Sequence, residues 1–276
     1  MKNIYLFRRV SLFADEEFQN SVTRLGLTPL LFLVVLTACG GGSSDPPSPG
    51  SIAGNWQMSL QNNPGKTPSG FLLQTGNSLN GTFLFSGNCA GVGPAQGTVS
   101  GLNVSMTISE ADQVLGLAGT ASSDGSSMSG NYTVLASGCG GPETGTWSAN
   151  QVKALTGSFQ ATFASVVTND LVFHFAGTLT QGPNTGASYA SLSGTMTSTD
   201  ASCFSSASVS GLITGTSAVL NLATSDGVSL GKISTTLTTD ASSMTGTYAF
   251  INTQVPLACG SDYGTVVFSI QPSATM

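Results

Sequence analysis

Positive charge is scarce in this chain of 276 residues, which has seven lysines and arginines in all, a single histidine, and charged residues at only 7%. Arginine ends at Arg24. From Cys39 onward the basic side chains are Lys66, Lys153 and Lys232, against ten carboxylates, for a net charge of −7. A surface of that kind cannot neutralise a row of phosphates, so nucleic acid is excluded as a partner. It offers no electrostatic hold on anionic lipid either.

Catalytic chemistry is short of parts as well. His174 is the one imidazole. It lies in Leu171-Val172-Phe173-His174-Phe175-Ala176, on the face opposite the larger apolar residues, as expected of an exposed strand histidine. A general base needs an orienting carboxylate and a nucleophile, and metal sites of His/Cys type need more than one imidazole. Glycoside hydrolysis needs two carboxylates across a cleft. Asp124 and Asp240 occupy matching turns in different parts of the chain, and Glu110 and Asp112 read as a solvated turn at a strand end. Calcium loops with alternating aspartates are absent, and Gly138-Cys139-Gly140-Gly141 lacks the lysine and helix of a phosphate cradle. The expectation is no enzyme, with no catalytic, cofactor-binding or metal-binding residue.

What the chain has is Ser, Thr, Gly and Asn interleaved with Val, Leu, Phe and Met. Apolar residues make up 40%, too many for a disordered chain, and the alternation suits strands with one solvated face. About 225 residues are available to fold, enough for one large or two small all-β domains.

The N-terminal segment carries Arg8, Arg9 and Arg24, with Asp15, Glu16 and Glu17 unusual among them. Leu25 to Leu36 then form an apolar run too short to span a bilayer but of signal-peptide length. It ends in Leu36-Thr37-Ala38-Cys39, followed by the Gly/Ser/Pro stretch to Ser51. This resembles the lipobox of bacterial lipoproteins. The resemblance implies removal of a signal peptide, residues 1–38, and acylation of Cys39 (palmitate among the chains). It also implies an anchor in the bilayer, with residues 39–51 as tether. Several acyl chains, at roughly 0.8 kcal/mol per buried methylene, make such an anchor stable. Gly40 after the cysteine favours the outer over the inner membrane in enteric-type bacteria.

The rest of the chain repeats itself. Asp124-Gly125-Ser126-Ser127-Met128-Ser129-Gly130-Asn131-Tyr132 matches Asp240-Ala241-Ser242-Ser243-Met244-Thr245-Gly246-Thr247-Tyr248. Gly54-Asn55-Trp56-Gln57 matches Gly157-Ser158-Phe159-Gln160, and Leu79-Asn80-Gly81-Thr82 matches Leu192-Ser193-Gly194-Thr195. Val99-Ser100-Gly101-Leu102 is aligned with Val209-Ser210-Gly211-Leu212, and Gly145-Thr146-Trp147 with Gly264-Thr265-Val266. The cysteines follow the repeat: Cys89 corresponds to Cys203, and Cys139 to Cys259. For an exported protein this predicts the disulfides Cys89–Cys139 and Cys203–Cys259. Each closes a loop of roughly 50 residues, about 4 kcal/mol in the chain-entropy account.

Period-two alternation runs through both copies: Trp56, Met58 and Leu60; Val104, Met106 and Ile108; Phe159, Ala161 and Phe163. Turn residues recur every 10 to 14 positions or so, giving seven or eight strands per copy. Short connections imply an antiparallel meander, which loses its edges by closing into a barrel. The opening Ile52-Ala53-Gly54-Asn55-Trp56 resembles the G-x-W start of the lipocalin and avidin barrels, which implies that architecture and no particular ligand. The predicted fold is all-β: two tandem meander barrels, residues 52–150 and 154–271. A β-sandwich per copy is the alternative, and one barrel built by both copies the third possibility. The aromatic residues, Trp56, Trp147, Phe163 and Tyr248 among them, are expected in the cores.

The expected function is that of a membrane-anchored cell-envelope lipoprotein with a structural or protein-interaction role. The alternative is a small apolar or glycan ligand held inside the barrels.

Overall fold

A computed structural model describes residues 50–87, 90–137, 142–167, 171–200, 204–225, 227–250 and 261–273. The five cysteines, Cys39, Cys89, Cys139, Cys203 and Cys259, lie outside the described residues, as do the signal peptide and most of the tether.

Sixteen antiparallel strands form two closed barrels of eight. The first contains β1 (Gly54–Leu60), β2 (Pro68–Thr75), β3 (Ser78–Phe85), β4 (Gly91–Ser100), β5 (Asn103–Glu110), β6 (Gln113–Ala121), β7 (Ser127–Ser137) and β8 (Glu143–Val152). The second contains β9 (Gly157–Ser165), β10 (Val172–Gln181), β11 (Ala190–Ser198), β12 (Ser206–Thr214), β13 (Ser217–Ala223), β14 (Ser229–Leu237), β15 (Ser243–Phe250) and β16 (Tyr263–Pro272). Consecutive strands pair throughout. β1 closes on β8 through pairs such as Met58 with Ala149, and β16 closes on β9 through pairs such as Phe268 with Ala161. The barrel reading therefore holds, and both the sandwich and the single shared barrel are set aside. Closure leaves no unpaired edge strand in either copy.

Alternation decides what fills the interiors. Trp56, Met58, Phe83, Phe85, Ile108, Tyr132 and Trp147 are buried in the first barrel. The second is lined with rings: Phe159, Phe163, Phe173, Phe175, Tyr248, Phe250 and Phe268. Phe163 alone lies 5.0–6.2 Å from five of them, stacked or edge-on, spacings at which aromatic pairs attract beyond simple burial.

One of the matched landmarks moves. Gly101 lies in the β4–β5 turn, and the equivalent turn of the second barrel contains Gly215, whereas Gly211 pairs with Leu220 inside β12. Both turn glycines have a left-handed backbone, φ 56° and 51°. The match of Gly101 with Gly211 is thus corrected to Gly215, the glycine that the equivalent turn requires.

The barrels belong to one compact unit, Asp45–Met276. The rim of the second barrel at the β12–β13 turn rests on the outer wall of β1 and β2. Asn55 and Ser69 point outward from the first barrel, where solvated residues are expected, yet both are buried. Phe71, outward on β2 and 1% exposed, belongs to the core of the second barrel and stoppers it. Gln57 Oε1 accepts hydrogen bonds from Thr216 N and Oγ1 at 3.2 and 3.3 Å, and Asn184 Nδ2 donates to Leu72 O at 2.7 Å. The connecting chain is fixed at both ends, Lys153 N donating to Thr239 O at 2.8 Å and Leu155 N to Gln181 Oε1 at 3.0 Å.

Candidate functional site

Four polar constellations stand out once the apolar cores are assigned. The first lines the rim of the first barrel where β1 meets β2, β5 meets β6 and β7 meets β8. Lys66, in the β1–β2 loop, is only 5% exposed. The backbone bonds Asn63 N to Leu60 O, 3.1 Å, and Lys66 N to Asn63 O, 2.9 Å, turn the loop inward. Lys66 Nζ donates to Gln113 Oε1, Gln113 Nε2 donates to Glu110 Oε2, and the ammonium lies 6.0 Å from the Phe85 ring centroid. Glu110 and Gln113 flank the two-residue β5–β6 turn, and Gln113 is 2% exposed. The solvated turn expected at Glu110 and Asp112 is thus corrected at Glu110, which turns toward the barrel mouth and is half-buried. A single lysine in the loop Gln61-Asn62-Asn63-Pro64-Gly65-Lys66-Thr67 gave no sign of this in the sequence.

The second constellation occurs in both barrels. Tyr132 donates to Glu143 Oε1, and Tyr248 donates to Asp262 Oδ2 at 2.6 Å. Asp262 is buried and also accepts from Ser165 Oγ at 2.6 Å. Burial first, and then the facing carboxylate, pushes both phenols well above the usual tyrosine range. The sequence did contain the signal. Glu143 and Asp262 each stand two residues before the matched glycines Gly145 and Gly264, which pair in register with Tyr132 and Tyr248. Both glycines make room for a ring: a Cβ would come within 2.7 Å of Tyr132 Cε1 at Gly145 and within 3.0 Å of Tyr248 Cε1 at Gly264.

The matched turns at Asp124 and Asp240 repeat their hydrogen bonds as well. Asp124 Oδ1 accepts from Ser122 Oγ, Ser126 N and Ser126 Oγ, and Asp240 Oδ1 from Thr238 Oγ1, Ser242 N and Ser242 Oγ. The hydroxyls of Ser122 and Thr238 are the largest cause holding these exposed carboxyls down at about 2. The two turns bind their own loops.

His174 stands on the outer wall of the second barrel, its side chain half-exposed, with Nδ1 3.1 Å from Asp200 Oδ2. The hydroxyl in this group, Ser198 Oγ, donates to Asp200 Oδ1 at 3.0 Å and not to the imidazole. An activated nucleophile needs the reverse order, with its hydroxyl on the ring. Among the described residues no group of three or more His, Cys, Asp or Glu is placed to hold a metal ion.

Space of ligand size lies between the barrels. A cleft of about 810 Å3 is lined by Asn55, Phe71, Gln151, Lys153, Asn184 and Asp240, among others. Large buried side chains occupy the described parts of the barrel interiors.

No protein-family model matches the sequence, and no curated protein sequence matches it. Among solved structures the chain is similar to the isotype 1 transferrin binding protein B from serogroup B Neisseria meningitidis, at 10% identity and a TM-score of 0.27. That match covers 75% of this chain and 59% of the other. Superposition at this level distinguishes neither ligand nor activity.

Proposed function

We propose that the chain is a non-catalytic cell-envelope lipoprotein, anchored through Cys39, whose interlocked barrels present a binding surface to another envelope protein. One observation carries this reading: an apolar patch at one rim of the second barrel. Val166, Val167, Val172 and Tyr263 are 45–56% exposed there. They are neighbours, since Val166 N donates to Tyr263 O at 3.0 Å and Val172 pairs with Ala164 beside them. Val267, 52% exposed, extends the patch along β16. Aliphatic side chains around a tyrosine, on a chain with few charges, match the composition of interface centres.

The test is a photo-crosslinking residue in the cell at Val172 or Tyr263, with the exposed Ser105 of the first barrel as control. The expected result is one discrete adduct from both patch positions, identified as an envelope protein, with none from Ser105. Its loss in Tyr263→Lys places the contact. Equal labelling from all three sites, or none, overturns the reading.

The anchor and disulfides belong to the same proposal. Labelled palmitate should enter the wild type and not Cys39→Ala. The pairs Cys89–Cys139 and Cys203–Cys259 require the intact mass to rise by about four hydrogens on reduction.

A second reading rests on the cleft between the barrels. Its amides, Lys153 and Asp240 beside Phe71 suit a small polar or glycan ligand better than an apolar one. A native mass spectrum of residues 52–276, exported to a periplasm and purified gently, tests it. A reproducible adduct that Asn184→Ala abolishes supports the cleft, and a bare chain opposes it.

A further inference from the structure

We infer that Lys66 and Gln113 form an intramolecular isopeptide bond in the mature protein, with Glu110 as the catalytic residue. Nucleophile, electrophile and proton carrier stand in one file at the rim of the first barrel. Lys66 Nζ rests on the carboxamide of Gln113, and the nitrogen that must leave, Gln113 Nε2, rests on Glu110 Oε2. Lys66 and Gln113 are 5% and 2% exposed, and Phe85 lies alongside at 6.0 Å from the ammonium. Water is therefore scarce where it would compete for the acyl carbon. Three elements converge on this point, so the reactants meet without a diffusional search, the condition under which an otherwise sluggish amide exchange gains most from proximity.

A structural role explains the arrangement less well. A buried ammonium is costly unless a negative charge or a full set of hydrogen bonds compensates it. Here its side-chain contact is a neutral carboxamide, and the carboxylate stands one group further along. For a salt bridge that order is wrong. For amide exchange it is the useful one, because the acid sits at the leaving nitrogen. Among the described residues the second barrel shows no counterpart: where Glu110 pairs with Gln113 in the first barrel, Ala223 pairs with Ser229 in the second. The rim there is closed by Phe173, Phe204 and Phe250 instead.

The step balances without any co-reactant. Lys66 Nζ gives up a proton and attacks Cδ of Gln113, forming a carbon–nitrogen bond. The tetrahedral adduct collapses with cleavage of the Cδ–Nε2 bond. Two protons leave Nζ as it is acylated and two arrive on Nε2. Glu110, in contact with Nε2, hands protons to the departing nitrogen and is reprotonated from those released at Nζ, ending in the state in which it began. The starting ammonium and carboxamide become a secondary amide and a departing ammonium ion, so the chain loses one ammonia in mass and one positive charge.

The test is peptide mapping of the full exported chain after reduction and denaturation. Lysine-directed cleavage after Cys39 can fall only at Lys66, Lys153 and Lys232. The expected result is a complete loss of cleavage after Lys66. Residues before 66 should then remain joined to the segment holding Gln113, in a species lighter by one ammonia whose fragmentation places the link between the two side chains. Full cleavage at Lys66 in the wild type overturns the inference, whatever the variants do. In Glu110→Gln cleavage at Lys66 should return, with circular dichroism confirming the β fold. A fully linked Glu110→Gln chain overturns the role of Glu110. In Lys66→Arg the chain should have the full mass of its sequence, with no ammonia lost, and trypsin, which also cuts after arginine, should cleave it after position 66.

Discussion

Asn55 and Gly215 bond to each other as two facing strand residues do, although 160 positions separate them: Asn55 Oδ1 accepts from Gly215 N at 2.7 Å and Asn55 Nδ2 donates to Gly215 O at 2.8 Å. A side-chain amide thus replaces a peptide group and satisfies both backbone atoms of a buried turn. No side chain fits at position 215, where φ is 51° and a Cβ would approach Gln57 Oε1 to 2.2 Å. Asn55→Ala leaves two buried backbone groups without partners, each worth ~1–3 kcal/mol, so a loss of about 2–6 kcal/mol is expected. In urea, the single transition of the wild type should separate into two. Tryptophan fluorescence reads the first barrel alone, because Trp56 and Trp147 both lie there.

Phe71 belongs to a strand of one barrel and the core of the other. Truncating a buried phenylalanine costs about 3–5 kcal/mol, and here the cost should fall on the barrel that does not contain it. Phe71→Ala is therefore expected to speed amide exchange in β9 to β16 by roughly 10²–10³-fold, taking 1.4 kcal/mol per decade. Amides of β3 to β7 should change far less. Equal acceleration in both barrels would mean that Phe71 supports its own strand instead.

Seven or eight strands per copy, their order and their inward faces were legible because alternation is local: Val104, Met106 and Ile108 can share a face only in an extended chain. The interlock was not legible. Asn55, Ser69 and Phe71 occupy outward positions, and one sequence does not reveal which outward positions another domain will cover. Phe71 between Gly70 and Leu72 reads as one more core residue, whereas the pairs Trp56 with Gly70 and Asn55 with Phe71 turn it away from its own barrel. The Lys66–Gln113–Glu110 file was hidden for a related reason. Lys66 enters the rim from a loop, and loop direction carries no periodic signal. The tyrosine–carboxylate pairs were within reach, since the repeat aligns Glu143 with Asp262, but that alignment joins two different residue types.

The turn carboxyls predict an acid response with a definite sign. Ser122 and Thr238 hold Asp124 and Asp240 down at about 2 from an ordinary 3.8. A depressed carboxyl stabilises the fold above its unfolded value and loses that contribution as the pH falls through the folded one. Both turns should therefore remain intact at pH 3 and loosen toward pH 2. Carboxyl-detected NMR titration should find both groups near 2, and Ser122→Ala should move Asp124 toward its ordinary value while leaving Asp240 unchanged. A common shift in both would mean that the field of the whole molecule, not the turn, sets these values.

Tyr248 and Asp262 predict the opposite response at high pH. The phenol is buried and donates at 2.6 Å to a carboxylate that is itself 2% exposed. Burial, followed by that carboxylate, raises its ionisation above the ordinary 10.0. A group raised in this way stabilises the fold fully below its unfolded value, and the contribution fades as the pH climbs beyond it. Tyr248 and Tyr132 should therefore yield phenolate absorbance only as the barrels unfold, in one step with the loss of strand signal. Tyr248→Phe keeps the ring and removes the hydroxyl, leaving Asp262 with Ser165 as its remaining side-chain donor among those above. The expected cost is about 1–3 kcal/mol at neutral pH. Tyr132→Phe should cost less, because Glu143 is half-exposed and water can take the place of the lost donor. If the two substitutions cost the same in thermal melts, burial of the carboxylate is not what distinguishes the pairs, and the apolar packing of the rings outweighs their hydrogen bonds.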